Sequence, residues 1–419
     1  MPTNGPYVIE ATSGDIATIG SSGDVWTPIF NGNDRYTIGL NQNISTGITN
    51  LRMFKSSDGG VTWTPQDIAH ESSPVNGVVQ PTKFGSKIFV VLNKQFVNGQ
   101  CVRSYDMSTD LWDAESPPSS ESGGRVQWRR LSSGDIVVVY QRQFGGPYSV
   151  KLEVYSGGSW TGLTTVTSHA TSQRIFMNLA VDGADRLYIV TRENLSPTSM
   201  VVRTYISGSV GAPATIETSN NPATVWGPGV YVATSDEVRF PIILRSEDVM
   251  GFSSPGYWTG TPSGSPTWSL VNLHIYEPDP SQFTPTITFA FEDDDDIFLA
   301  WVGTTDEDTG QISIRFVEQI NLGEWSDQQV LWDSIDNPLS PPSDFPGDAQ
   351  FMGVAFDPAT GRLATELGLF QNFGFLGIGE WCGVLYYLDS NPGSCQIVVG
   401  PGTRPMMPQF YKRGTAHGA

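Results

Sequence analysis

Lysine and cysteine are scarce in this chain of 419 residues, and long apolar runs are missing. Lysine occupies only six positions, and the formal net charge is -20 at pH 7. A surface that binds nucleic acid needs clustered lysine and arginine to neutralise phosphates, so we expect no nucleic-acid partner. The one compact basic group, "RVQWRR" at 125–130, is either a strand with solvated alternate positions or a binding patch.

The three cysteines, Cys101, Cys382 and Cys395, are too few for a disulfide framework. Cys382 and Cys395 fall on neighbouring predicted strands, where they are either buried free thiols or a bridge. The N-terminal stretch lacks the basic and apolar regions of a secretory signal, and no run reaches the length of a membrane span. We therefore expect a soluble protein that is made in the cytoplasm and leaves the cell by lysis or by assembly into a particle.

No window shows a clean helical period, whereas glycine, serine, threonine and aromatic residues are abundant, which favours β-structure. Strand-like runs recur along the chain, and their starts lie 53, 48, 51, 51, 59 and 66 residues apart. The seven runs are "DRYTIGL" (34–40), "KIFVVLN" (87–93), "DIVVVYQ" (135–141), "RLYIVTR" (186–192), "EVRFPIIL" (237–244), "DIFLAWV" (296–302) and "RLATELGLF" (362–370).

Each run follows another strand and a polar turn, and is itself followed by a third strand, a turn and a fourth. Four short strands repeated about every 50 residues are typical of a β-propeller, in which small sheets stack around an axis. We predict an all-β chain with a single seven-bladed propeller of four-stranded antiparallel blades over 24–400, with six blades as the alternative. Residues 1–23 are expected to add a strand or hairpin that closes the ring, and 401–419 to form a tail.

One turn between a third and a fourth strand, "KSSDGGVTWT", has a distinctive pattern. Serine and aspartate side chains can accept backbone N–H groups across such a turn, glycine supplies a positive φ, and tryptophan can fold back between sheets. The turn resembles the Asp box of bacterial neuraminidase repeats, matched by Ser56, Asp58, Gly60, Thr62 and Trp63. Blades two, three and six keep chiefly the final tryptophan, in "SYDMSTDLW", "YSGGSW" and "NLGEW".

The resemblance implies a propeller similar to those of tailed bacteriophages, in which the box is a structural turn away from the ligand-binding face. It also raises a sialidase-type glycoside hydrolase, which needs an arginine triad with a tyrosine and a glutamate. The string nearest to the motif that opens such enzymes is "VRFP", with Arg239 and Pro241, and it lies in blade five rather than near the start. No catalytic residue is therefore carried over.

The loops that lead from a fourth strand to the next first strand gather on one face of a propeller, where most partners bind. Aromatic rings stack on sugars and arginine grips acidic groups, which makes several side chains on this face candidate binding residues. The alternative for the two tryptophans is packing between blades. The candidates are Arg125, Trp128, Arg174, Trp226 and Tyr276.

We predict no metal and no cofactor. His70, His169 and His274 fall in equivalent loops of alternate blades, but no zinc-binding spacing accompanies them. The acidic runs "EDDDD" (292–296) and "DEDTG" (306–310) match no calcium-loop pattern and are expected to be solvated turns.

The sequence therefore favours a non-catalytic, virion-associated propeller, decorating a tail, fibre or capsid, that binds a host surface glycan or another virion protein through its loop-rich face. The alternatives are a sialidase-like glycoside hydrolase and a cellular lectin-like protein, cytoplasmic or extracellular. The tail from Pro401, with Arg404, Lys412 and Arg413, is either a disordered end or an arm that docks a neighbouring subunit.

Overall fold

A computed structural model of the chain describes residues 7–10, 29–43, 48–58, 64–71, 75–94, 99–121, 123–142, 148–169, 174–193, 198–219, 225–245, 252–262, 266–275, 277–278, 287–291, 295–306, 311–333, 349–359, 361–372 and 379–387. Regular structure in these ranges is β-strand, apart from one 3₁₀ turn at Ile320–Leu322. None of the described helical residues forms a segment with the length and apolarity of a membrane span.

The strands pair antiparallel into seven sheets, each with a main path of four strands. The first, innermost strands are β2 Ile29–Asn31, β6 Val75–Phe84, β10 Gly124–Arg130, β14 Arg174–Val181, β19 Val225–Trp226 with β20 Val230–Val232, β25 Ile287–Phe291 and β29 Ala349–Asp357. The second strands are β3 Asp34–Asn43, β7 Lys87–Lys94, β11 Ile136–Arg142, β15 Leu187–Glu193, β21 Glu237–Arg245, β26 Ile297–Asp306 and β30 Arg362–Asn372.

The third strands run beside the second ones, and the fourth strands form the outer edge of each sheet. The third strands are β4 Ile48–Ser56, β8 Gln100–Asp106, β12 Tyr148–Ser156, β16 Thr198–Ile206, β22 Phe252–Gly260, β27 Gln311–Gln319 and β31 Gly379–Tyr387. The outer strands are β5 Thr64–Glu71, β9 Leu111–Trp112, β13 Ser159–His169, β17 Ser209–Val210 with β18 Ala214–Ser219, β23 Trp268–Asn272 with β24 Glu277–Pro278, β28 Gln329–Asp333 and β1 Tyr7–Glu10.

Blades one to six are each built from one continuous stretch of chain, and these six sheets run from β2 to β28. The seventh sheet differs, because its outer strand β1 comes from the N-terminus and pairs with β31, from Tyr7 opposite Leu385 to Glu10 opposite Cys382. The repeat in the sequence places a fourth strand of this blade after its third, and the residues there, "CQIVV" at 395–399 with Cys395, lie outside the described part of the chain. The prediction of an all-β propeller with four-stranded antiparallel blades is confirmed.

The second strands are apolar on both faces because a blade lies on either side of each. Ile88, Val90 and Leu92 of β7 face blade one, whereas Val91, with its neighbour Phe89, packs against blade three. Strand β11 repeats the pattern toward blades two and four. A strand with both faces covered reads as a continuous apolar run, which is why the repeat was visible in the sequence.

Tryptophans on the outer strands β9 and β13, and in the turn before β28, reach back to the preceding blade. The Nε1 atom of Trp112 donates to the Asp67 carbonyl oxygen in blade one, at 3.1 Å. Nε1 of Trp160 donates to the Pro117 carbonyl oxygen in blade two, at 2.7 Å, and Nε1 of Trp325 to the Tyr257 hydroxyl in blade five, at 3.3 Å. The tryptophan kept in each altered box therefore joins two blades, as expected.

The Asp-box turn of blade one is described only in its first half. Ser56 is buried, and its Oγ atom donates to Oδ1 of Asp58 at 2.8 Å. Gly60, Thr62 and Trp63 lie outside the described residues.

The ring closes through a buried ion pair between its first and last blades. Nη2 of Arg35 on β3 lies 2.6 Å from Oδ2 of Asp357 at the end of β29, and both side chains are almost fully shielded from solvent. On the other side of blade seven, the rings of Phe298 and Phe356 stack with centroids 6.0 Å apart. Blade seven is thus held to blade six by apolar packing and to blade one by opposite charges.

Replacing Arg35 by Met should lower the free energy of unfolding by about 3 kcal/mol, because the Asp357 carboxylate would remain buried without this cation. Urea denaturation followed by tryptophan fluorescence measures the change. The matched control is Lys87→Met, since Lys87 and Asp113 form a partly exposed pair at 2.6 Å, and the expected loss there is below about 1 kcal/mol. Equal losses in the two variants would contradict a closing role for Arg35.

Candidate functional site

The loop-rich face is defined here as the end of the blades where each outer strand leads to the next inner strand. Several inner strands carry an extra residue near this end. The pairing register shifts between Gly124 and Val126 in β10 and between Phe176 and Asn178 in β14. Arg125 is the extra residue in the first bulge, with φ of 47°, a value that few residues other than glycine adopt. Bulges re-aim side chains and are common beside functional sites.

Arg125 extends across the seam between blades three and four, at the inner end of both. Its Nη1 atom lies 3.5 Å from the Phe176 carbonyl oxygen and 3.6 Å from Sδ of Met177, the extra residue of the second bulge. Both contacts are long, and the residue stays exposed. The two bulges therefore bring a cation and a thioether together beside the axis.

Arg192 adds a second positive charge near Arg125, from the face of β15 that it shares with Val190 and that packs against blade five. It lies near the end of β15, directly opposite Ile175 on β14. Arg125 is exposed as a whole residue, but the protein around its guanidinium removes part of the surrounding water. This desolvation lowers the pKa of Arg125 below its usual value, and the nearby charge of Arg192 lowers that pKa further. Nε of Arg192 is buried and has no hydrogen-bond acceptor in the part of the chain that the structure describes. We call Arg125, Arg192 and Met177 the arginine site.

Carboxylates on the adjoining strand ends lie beside other cations. Oε1 of Glu193 lies 2.7 Å from Nη2 of Arg203, and Oε2 of Glu121 lies 4.0 Å from Nε of Arg142. Among the described residues, no ion pair joins Arg125 or Arg192 to a carboxylate. An anion bound between the two guanidiniums would relieve their repulsion and supply acceptors, so the arrangement suits an acidic ligand group.

The floor beneath the arginine site is built by Arg129, four residues along β10 from Arg125. Its guanidinium donates to the carbonyl oxygens of Trp128 at 2.7 Å, Leu179 at 2.6 Å and Gly229 at 3.1 Å. These acceptors belong to the inner strands or inner loops of blades three, four and five. Burial lowers the pKa of Arg129 to about 10, which leaves it charged at neutral pH.

Asn178 extends this network of hydrogen bonds, which we call the hub, toward blade five. Its Oδ1 atom accepts from the Gly229 amide at 2.7 Å, and its Nδ2 atom donates to the Gly227 carbonyl oxygen. The segment "GPG" at 227–229 separates β19 from β20, and a Cβ at Gly227 would overlap the Ile287 carbonyl oxygen of blade six. Only glycine permits that approach, so inner strands of four consecutive blades meet at one point.

The predicted binding residues have different places in the structure. Arg125 lies at the arginine site. Trp128 points the other way: it is 2 % exposed and packs against Phe84 of blade two, with ring centroids 6.2 Å apart. Its ring is not available to a ligand, so the candidate role is corrected to packing between blades.

The remaining candidates are only partly described. The backbone of Arg174 pairs with Glu193, which places it at the start of β14 beside the arginine site. The backbone of Trp226 pairs with Ile242 in blade five. The side chains of both, and the whole of Tyr276, lie outside the described residues.

Other sequence candidates do not gather at this face. Arg239 is 4 % exposed and its Nη2 atom lies 2.8 Å from Oε2 of Glu237, while Nη1 donates to Gln319 at 2.8 Å. It therefore joins blades five and six. His274 is exposed, and within the described ranges no three His, Cys, Asp or Glu side chains converge as metal ligands. Asp295 and Asp296 accept hydrogen bonds from Thr234 and Asn321 at the opposite face.

Sequence reasoning missed Arg192, Arg129 and Asn178. Arg129 belongs to the basic stretch at 125–130, where nothing local separates a buried arginine from a solvated one, and no motif marks Arg192 or Asn178. The one usable signal was the "GPG" segment inside an inner strand, because glycine there indicates a close approach of another backbone.

Comparison with known proteins supports the fold. No protein-family model matches the sequence, and no curated protein is similar to it. A polysaccharide lyase of family PL25, an ulvan lyase bound to -[GlcA(1-4)Rha3S]-, is 9% identical, with a TM-score of 0.51 over 86% of this chain and 93% of the lyase. The endosialidase of phage phi92 is 10% identical, with a TM-score of 0.43 over 96% of this chain and 72% of the enzyme. The β-propeller domain of the trilobed protease from Pyrococcus furiosus is 8% identical, with a TM-score of 0.45 over 90% and 98% of the two chains. The four-stranded antiparallel sheets of the described residues, which follow one another in chain order, give the chain the fold of a β-propeller.

Replacing Arg129 by Met should lower the free energy of unfolding by about 2–4 kcal/mol, because three buried carbonyl oxygens lose a charged donor. Urea denaturation checks this. Lys151→Met is the control, since Lys151 donates to the exposed Thr165 hydroxyl at 2.9 Å and should cost less than about 1 kcal/mol. An Arg129 variant as stable as the control would show that the hub does not depend on this guanidinium.

Proposed function

We propose that this propeller binds a glycan without chemical turnover, and that an acidic group of the glycan is held between Arg125 and Arg192. The observation that supports the proposal is that two guanidiniums lie near enough for the charge of one to act on the other, and that neither has a carboxylate partner among the described residues, in a protein whose net charge is -20. A planar carboxylate or a sulfate accepts two N–H donors at once, which matches arginine geometry.

The rigid floor supports binding without requiring a large rearrangement. Arg129 and Asn178 bond the main chains of blades three, four and five below the arginine site. Sites whose side chains are held before the ligand arrives lose less conformational entropy on binding. The ligand group therefore meets two cations whose strands are already fixed.

The setting that we propose is the surface of a virion, where the propeller would decorate a tail, fibre or capsid. The support for this setting is the resemblance of the Lys55–Thr64 turn to the boxes of propellers from tailed bacteriophages. The loop-rich face would contact the host glycan, and the C-terminal tail would contact other virion proteins. Genes for portal, capsid or tail proteins beside this one would support the setting, and genes for sugar uptake would argue for a cellular protein.

Arg125→Ala and Arg192→Ala should each weaken the binding of an acidic oligosaccharide about 10- to 100-fold, because each removes a charge-assisted hydrogen-bond donor. The first probe is the GlcA–Rha3S repeat, with a neutral oligosaccharide of equal length beside it, and isothermal titration measures both. Affinity for the acidic probe should fall as salt is raised.

Arg186→Gln is the matched control. Arg186 lies in the same blade as Arg192 but at the opposite end, and the variant loses one positive charge, as the two test variants do. Equal affinity for acidic and neutral probes, or equal loss in the control, would contradict the proposed site. Cleavage of a probe, seen as new reducing or unsaturated ends, would replace binding by catalysis.

A further inference from the structure

Two glutamine side chains are buried in the seam between blades three and four, and they differ in their hydrogen bonds. Gln141 on β11 is 6% exposed, and its Oε1 atom accepts from the Phe176 amide of blade four at 3.3 Å. Gln127 on β10 is 7% exposed, and its buried Oε1 atom has no donor within the described ranges. A buried amide oxygen without a donor costs free energy, so this one needs an explanation.

The side chain of Gln127 faces blade four. Its neighbours Val126 and Trp128 pack on the side of blade two, and successive residues of a strand point to opposite faces. Its partner on β11, Val139, belongs to the apolar cluster between blades three and four. An apolar side chain would therefore suit this position better than an amide if packing alone decided.

The position is close to the arginine site. Gln127 lies midway between Arg125 and Arg129 on β10, and about 7 Å of strand separates it from each. The guanidiniums of both arginines reach blade four, at the carbonyl oxygens of Phe176 and Leu179. The amide of Gln127 thus enters the same seam, between the cation of the arginine site and that of the hub.

Asn178 shows how a structural amide is bonded in this part of the molecule. It is fully buried, and its Oδ1 atom accepts from the amides of Leu179 and Gly229, both at 2.7 Å. Its Nδ2 atom donates to the Gly227 carbonyl oxygen. The oxygen of Gln127 makes no such bond to any residue that the structure describes, so it is an acceptor that this part of the fold does not use.

We propose that Gln127 is a specificity-determining residue of the glycan site: its Oε1 atom accepts a hydrogen bond from a sugar hydroxyl near the acid group that Arg125 holds. The inference rests on the proposed function, and it narrows the ligand to a sugar acid with a free hydroxyl near its carboxylate, such as a hexuronate. A simple carboxylate or sulfate ion offers acceptors only, so it can pair with Arg125 but not with Gln127. The sugar hydroxyl supplies the missing donor.

An amide suits this place better than a carboxylate would. Both accept a hydrogen bond from a hydroxyl, but a glutamate at 127 would pair with Arg125 and cancel the charge that attracts the ligand. An uncharged acceptor leaves that charge available. Burial adds selectivity, because a ligand without the hydroxyl would leave the oxygen unpaired and shielded from water.

The test uses the full chain and a tetrasaccharide that ends in glucuronate, together with its monodeoxy forms, which lack the 2-, 3- or 4-hydroxyl of that glucuronate. Isothermal titration should show that one deoxy form binds the unaltered protein about tenfold more weakly than the parent sugar, because it leaves the Gln127 oxygen unpaired. Gln127→Leu should bind that deoxy form and the parent sugar with equal affinity.

Gln141→Leu is the matched control, because it makes the same substitution at a similar depth in the same seam. It removes the acceptor of the Phe176 amide, so it should lower the melting temperature by about 2 °C and keep the preference for the parent sugar. Gln127→Leu breaks no bond of its Oε1 atom to a described residue, so it should leave the melting temperature unchanged or raise it.

Deoxy forms that all bind as tightly as the parent sugar would overturn the role of Gln127 and leave the glycan proposal standing. A fall in melting temperature for Gln127→Leu as large as that for Gln141→Leu would also overturn it, since the oxygen would then be bonded within the protein. Failure of the unaltered protein to bind the parent sugar would overturn both proposals. The comparison of sugars on the unaltered protein does not depend on how any variant folds.

Discussion

Arg35 and Asp357 lie 322 positions apart in the chain, and their contact makes seven sheets into a ring. Seams within the run from blade one to blade six join neighbours in sequence, so each can form soon after its two blades. The closing seam must bring together the two ends of the propeller. The chain entropy lost in closing so long a loop is larger than the entropy lost in a contact between neighbouring blades. Opposite charges buried in that seam are satisfied only when the last blade meets the first in one alignment.

Strand β1 also joins the two ends of the chain, at the outer edge of blade seven. An unpaired β31 would expose a row of amide and carbonyl groups, and the N-terminal segment covers part of that edge. The first and last parts of the chain thus share one sheet, which ties ring closure to the formation of blade seven. The remaining seams use apolar side chains, supported by tryptophans that bond to the preceding blade.

Near the propeller axis, hydrogen bonds to the main chain join neighbouring blades in addition to apolar contacts. Inner strands of neighbouring blades do not pair as a sheet, so their carbonyl oxygens need other donors. Arg129 and Asn178 supply them, and the glycines at 227 and 229 let the backbones approach. Above this floor the strands bulge, and Arg125 adopts a positive φ that the surrounding structure maintains. The hub and the bulged ends of β10 and β14 above it keep the positive charges of Arg125 and Arg192 near each other.

Much of the fold could be predicted from the sequence, because its signals are local. Runs such as "KIFVVLN" and "DIVVVYQ" are buried on both faces, and the tryptophans of the altered boxes mark where the outer strands begin. The site was less predictable. Arg125 was identified as a candidate, but Trp128 faces the opposite seam, because residues three apart on a strand lie on opposite faces of the sheet and each face of this strand meets a different blade.

The sequence by itself determined the repeat, the four-stranded unit and the residues that fasten one blade to the next, because these depend on contacts between neighbours in the chain. The sequence also suggested that an N-terminal strand would help to close the ring. Only the tertiary structure decided that residues 7–10 would pair with β31, that the charge of Arg192 would act on Arg125 and that Arg129 would bond to the main chains of three blades. Those meetings depend on the angle between blades and on the register at each bulge. No short stretch of sequence determines the angle between blades or the register at a bulge, because both depend on how whole sheets pack around the axis.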